Sequence, residues 1–170
     1  MRRRDFIAGA LGVAALGAGV AYTQTSGADA VTPVEVDTLD APGSEEGVVD
    51  VPRRGEVTFV EFFATWCHVC EGMMDDVAAA HDEVGDDVQF LSVSNEPVGH
   101  TVTRDEVVDW WSDNGGDWTV GIDGDLRLTE ALDAGGVPTT VVVDAQNRVV
   151  STDTGRKTAD EMVEAIESAL

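Results

Sequence analysis

Val57-Thr58-Phe59-Val60-Glu61-Phe62-Phe63, continued by Ala64-Thr65-Trp66-Cys67-His68-Val69-Cys70, is the stretch that decides the fold. Its first seven residues are mostly β-branched or aromatic and are apolar on both faces. That pattern predicts a central strand covered on both sides. Beyond it, Val69, Met73, Met74, Val77 and Ala80 recur at helical spacing as far as Gly85, which predicts a helix. The two cysteines therefore stand at a strand-to-helix junction. Unpaired backbone N–H groups and the helix dipole favour an anion there. A thiol at that place has a lowered pKa and a larger thiolate fraction. Two intervening residues put the second sulfur within disulfide distance of the first, so the pair can cycle between dithiol and disulfide.

Upstream, residues 34–39 alternate as a short strand, 41–46 read as a turn and 48–51 as a second short strand. Downstream, 88–94 is a second buried strand. A helix over 104–113 carries Val107, Val108, Trp110 and Trp111, and 118–122 is a short strand. A further helix is expected over 126–134, closed by Gly135-Gly136. Val137-Pro138 leads into a third long strand, 139–143. A hairpin turn at 144–147 returns the chain as an antiparallel strand over 148–152. Residues 158–170 form a closing amphipathic helix with Thr158 as N-cap. The order predicts an α/β domain: a mixed central sheet flanked by helices on both faces.

Taken together, these residues resemble the thioredoxin superfamily, and within it the extracytoplasmic thiol–disulfide oxidoreductases of the TlpA and ResA kind. The resemblance rests on the segment from Phe62 to Cys70, on Gly136-Val137-Pro138-Thr139-Thr140 about 70 residues later, and on the terminal helix. It covers roughly residues 34–170. The helix and strand inserted between Val98 and Ile122 also match that subgroup. The resemblance implies a thioredoxin-like fold and a redox-active Cys67–Cys70 disulfide that needs no other cofactor. Cys67 would be the exposed nucleophile and Cys70 the buried resolving thiol. Pro138 would be a cis-proline opposite the dithiol, and the Val137 backbone, followed by Thr139, would pair with an extended substrate. Trp66, His68 and Val69 would shape the docking surface. Glu61 stands where thioredoxin has a buried acid, and it would carry protons for the resolving step. The implied partners are protein thiols and disulfides outside the cytoplasm, with a CcdA-type membrane protein as electron donor. Cytochrome c biogenesis is one setting for such proteins.

Two departures bear on direction. Val69 stands where reductases of this kind usually have Pro. His68, protonated at the helix start, would stabilise the Cys67 thiolate and push the pair toward an oxidant. Met73 occupies the place where some cytochrome-maturation relatives have Glu. The leading expectation is a reductase. The alternatives are a disulfide-forming oxidant on the same fold and a Cu(I) metallochaperone using the two thiolates. No metal site is otherwise expected, because His68, His81 and His100 fit no ligand spacing. Trp110, Trp111, Met73 and Met74 read as packing residues, and His81 and His100 as surface residues.

Composition sets outer bounds. The chain has 170 residues, 43% of them hydrophobic, enough for one domain with a real core. Thirty-three acidic residues against ten basic ones give a formal net charge of -23. Such a surface excludes nucleic-acid binding and adhesion to anionic lipid, both of which need clustered Lys and Arg. Dense carboxylates keep a protein soluble where salt screens their mutual repulsion, which points to a halophilic, archaeal-type source. Arg2-Arg3-Arg4 followed by an apolar run over 6–22 has the layout of an export signal. It resembles the twin-arginine type, with Ala28-Asp29-Ala30 as a cleavage site. Residues 1–30 are thus expected to be a signal or membrane anchor, and 31–170 the thioredoxin-like domain.

Overall fold

Residues 30–170 are described by the computed structural model; the expected export segment and its cleavage site fall almost wholly outside them. The chain order is β1 (Val34–Thr38), β2 (Gly47–Val51), β3 (Val57–Phe63), α1 (His68–Glu71), α2 (Met74–Val84), β4 (Val88–Ser94) and α3 (Arg104–Asp113). Then come β5 (Thr119–Ile122), α4 (Arg127–Ala131), β6 (Thr139–Val143), β7 (Val149–Thr154) and α5 (Ala159–Glu167). The strands form one seven-stranded sheet in the order β2-β1-β5-β4-β3-β6-β7. β3 is parallel to β4 and antiparallel to β6, so the sheet is mixed.

The two apolar runs take the centre because they can fill both faces. Every residue of β3 and of β4 is buried. Alternation divides them: Val57, Phe59 and Phe63 enter one core with Cys67, Cys70, Met73, Met74, Trp111 and Ile166. Val60 and Phe62 enter the opposite core with Leu91, Leu128 and Val141. Glu61 lies between Phe59 and Phe63 on the alternation, so it faces the cysteine layer. Most of the helical cover lies on that face, from α1, α2, α3 and α5. The other face has the short α4.

The expected helix after Cys67 is broken. α1 ends at Glu71, a turn at Gly72 and Met73 intervenes, and α2 begins at Met74. Glycine is a weak helix former, and Met73 gives α2 no side-chain cap. α4 is shorter than expected and is not closed by Gly135-Gly136. Leu126 (φ 60°) and Asp133 (φ 52°) take left-handed conformations at its two ends. Its first turn is held by the Asp123 carboxylate, which accepts from the N–H groups of Leu128 and Thr129.

The aromatic residues pack as expected, with one correction. Trp110 stacks on Phe63 at 4.8 Å, and Trp111 meets Trp118 edge-on at 4.7 Å. The buried indoles are satisfied: Trp111 Nε1 donates to Pro42 O and Trp118 Nε1 to Ser92 Oγ. His81 is not a free surface residue. It is half-buried, 5.0 Å from the Phe90 ring and 5.7 Å from Trp118.

Thr158 caps α5 through a reciprocal box with Glu161. Thr158→Ala is expected to lower stability by about 1 kcal/mol, read as a lower denaturant midpoint with an unchanged slope.

Candidate active site

The site is built where β3 runs out. The Cys67 N–H donates to Ala64 O at 3.0 Å, closing a turn of four residues. Cys67 is then the N-cap of α1, in an extended conformation (φ -88°, ψ 97°). Its Sγ accepts from the Cys70 N–H at 3.1 Å. A sulfur thus takes the capping place that Ser or Asp fills in other helices, where an orphan amide favours negative charge. Cys67 and Cys70 form a disulfide.

Burial differs from the expectation at Cys67. Cys70 is fully buried, but Cys67 is only 6% exposed. Its neighbours take the surface instead: Trp66 is 68% exposed and Val69 50%. Two large apolar side chains next to the cysteines in sequence are thus left in solvent. His68 also points outward. Its side chain is 95% exposed, and Nδ1 lies 3.3 Å from the Glu71 carboxylate.

Glu61, two residues before the end of β3, is fully buried. Neither carboxylate oxygen has a hydrogen-bond partner. Burial pushes its pKa up to about 7, against a smaller downward pull from the nearby Ser92 hydroxyl. Ser92 is its register neighbour on β4. The Ser92 oxygen already accepts the Trp118 indole N–H, and its geometry toward Glu61 falls short of a hydrogen bond.

The second loop approaches through β6. Thr139 pairs with Phe62, and continuing that antiparallel register sets Pro138 beside Phe63 and Val137 beside Ala64. The Val137–Pro138 peptide is cis, and so is Val51–Pro52 at the far end of the sheet. Pro138 is buried and Val137 half-buried. Thr139 is buried, and its Oγ1 lies 3.1 Å from Thr154 Oγ1 on β7. Among the described residues, no three His, Cys, Asp or Glu side chains are grouped to hold a metal ion.

One residue escaped the sequence. Glu96, only 5% exposed, accepts from the Thr65 N–H at 2.7 Å, the Thr65 hydroxyl at 3.1 Å and the Ser94 hydroxyl at 3.2 Å. The available signal was its place just past β4, whose C-terminal end shares a sheet edge with that of β3.

Solved structures share this architecture. StoA from Bacillus subtilis superposes with a TM-score of 0.67 at 19% identity, over 79% of this chain and 96% of that one. The pneumococcal exposed lipoprotein thioredoxin Etrx1 from Streptococcus pneumoniae gives 0.68 at 19% identity, over 81% and 99%. A putative thiol:disulfide interchange protein DsbE from Chlorobium tepidum gives 0.64 at 19% identity, over 84% and 96%. No curated protein matches the sequence. The redoxin family model matches residues 29–170, which takes in the whole sheet, its helices and both loops of the site. The chain belongs to the redoxin family and is a thioredoxin-like oxidoreductase.

Proposed function

We propose that the protein is an exported reductase of protein disulfides, working outside the cytoplasm of a halophile. The observation that carries the reading is the cysteine pair itself: one sulfur capping a helix with a trace of exposure, the other fully buried. In the reduced protein, the Cys67 thiolate attacks a substrate disulfide. A mixed disulfide forms and one substrate thiolate leaves. The Cys70 thiol then gives its proton to the Glu61 carboxylate. The resulting thiolate attacks the Cys67 sulfur and expels the second substrate thiolate. Two electrons have passed to the substrate, and Cys67–Cys70 is a disulfide again. A dithiol donor, which a CcdA-type membrane protein would supply, regenerates the pair. A carboxyl with a pKa of about 7 suits that proton transfer at neutral pH.

The geometry of His68 favours reduction over oxidation. Its side chain is 95% exposed and 3.3 Å from the Glu71 carboxylate, so solvent and that carboxylate weaken its pull on the Cys67 thiolate. Residues 1–30 would direct export, and the dense surface acids would keep the folded domain soluble in strong salt. Among the described residues, no helix is long and apolar enough to cross a membrane. The solved relatives include proteins described as an exposed lipoprotein and as secreted.

In molar salt, the stoichiometrically reduced protein is expected to cleave the interchain disulfides of insulin, and the oxidised protein to leave a reduced test protein unoxidised. The reverse pattern refutes the reductase reading. Trp66→Ala is expected to raise KM for insulin about tenfold, since exposed Trp residues anchor docking surfaces, with exchange against glutathione little changed. A KM equal to wild type would remove Trp66 from the docking surface.

A further inference from the structure

We propose that Glu96 is a positioning residue, holding in place the turn that presents Cys67. The inference rests on the exchange chemistry at Cys67 proposed above.

The turn runs Ala64-Thr65-Trp66-Cys67, closed by the Cys67 N–H on Ala64 O. That closure leaves the N–H of the second residue, Thr65, without a partner inside the turn. Glu96 takes it at 2.7 Å with one carboxylate oxygen and takes the Thr65 hydroxyl at 3.1 Å with the other. One carboxylate therefore fixes both the backbone and the side chain of Thr65. Ser94 Oγ donates to the same carboxylate at 3.2 Å. Its own oxygen accepts from the Glu96 N–H at 3.4 Å, tying the acid to the end of β4.

A buried carboxylate is a costly way to brace a loop. Burying a charge is offset only when hydrogen bonds satisfy it, as three donors do here. β4 already reaches β3 at this edge by a plain backbone bond, from the Asn95 N–H to Phe63 O. What Glu96 adds is a grip one residue further out, on the turn. The two residues after Thr65 are Trp66, which is exposed, and Cys67, whose sulfur must stay over the Cys70 N–H. In the reduced protein that attacks substrate, the Cys67–Cys70 bond is open and no longer braces the turn. Glu96 then keeps Cys67 at the helix cap, where the thiolate is stabilised.

Two mechanisms predict opposite signs. If Glu96 acted only as a negative charge near the site, its removal would favour the thiolate and speed attack. If it positions the turn, its removal slows attack. The test is stopped-flow exchange between the reduced full chain and oxidised glutathione in molar salt, with folding checked by near-ultraviolet circular dichroism. Glu96→Ala is expected to slow exchange about tenfold, since small misplacements of reacting groups are costly in rate. Glu96→Gln keeps an acceptor for the Thr65 N–H without the charge, and is expected to stay within about threefold of wild type. Thr65→Val loses only the hydroxyl bond and is expected to fall between them. A folded Glu96→Ala protein that reacts at the wild-type rate or faster overturns the inference. If Glu96→Ala does not fold, Thr65→Val at the wild-type rate overturns it. Failure of the wild-type chain itself to exchange would refute the exchange reading, and this inference with it. Wild-type exchange with unaffected variants refutes this inference alone.

Discussion

Cys67→Ser is expected to abolish disulfide exchange, and Cys70→Ser to stop it halfway. A serine hydroxyl stays protonated at neutral pH and forms no disulfide, so loss at position 67 should be on the order of a thousandfold or more. Cys70→Ser keeps the attacking sulfur at the helix cap and removes the group that resolves the intermediate. Incubated with a disulfide substrate, it should accumulate a covalent adduct at Cys67, seen by mass spectrometry and released by dithiothreitol. The burial order supports the proposed assignment: Cys70 is fully buried and Cys67 keeps the little exposure there is. Exchange that survives in Cys67→Ser, or an adduct that forms at Cys70 instead, would reverse the assignment.

The second large effect concerns stability and comes from Glu61. Its carboxyl has a pKa of about 7 in the folded protein, against an ordinary value of 4.5. Below pH 4.5 it is protonated in both folded and unfolded chains and favours neither. Between 4.5 and 7 the unfolded chain gives up this proton and the folded protein keeps it, so stability falls as pH rises. Above 7 both are ionised and the loss levels off at about 3 kcal/mol, because each tenfold difference in proton affinity is worth about 1.4 kcal/mol. Glu61→Gln, measured by denaturant unfolding of the oxidised protein from pH 4 to 8.5, should lack this fall. It should therefore overtake wild type by about 3 kcal/mol at pH 8. The carboxyls of Glu106, Asp144, Asp153 and Glu161 are held below their ordinary values and work in the opposite sense. They are common to both proteins and cancel in the difference. The same substitution should slow the resolving step at neutral pH, because a neutral amide takes no proton. Wild type and Glu61→Gln with parallel stability curves would show that the carboxyl is not buried as described.

These residues were legible in the sequence for definite reasons. β3 announced itself because it is apolar at both parities, and only a strand covered on both faces uses such a run. Glu61 stood out as the one charge inside it. Cys67 and Cys70 were placed by the abrupt change from period two to helical spacing. What stayed hidden depends on contacts between distant parts of the chain. Glu96 acts on Thr65 across 31 residues, through one side chain on one backbone amide, and no local pattern records that bond. His81 looked like a surface histidine on α2 until β4 and β5 brought Phe90 and Trp118 beside it. The break at Gly72 was missed because apolar spacing runs through it unchanged. α4 is shorter than its apolar spacing suggests because the Asp123 carboxylate holds its first turn and the chain turns left-handed at Asp133, before the two glycines.

The most direct measurement is the reduction potential of the Cys67–Cys70 pair, from equilibrium with a glutathione series in molar salt. A reductase requires a value near about -270 mV, where thioredoxin sits and where the reduced form gives up electrons readily. A value near about -120 mV would contradict it, making the protein an oxidant that forms disulfides.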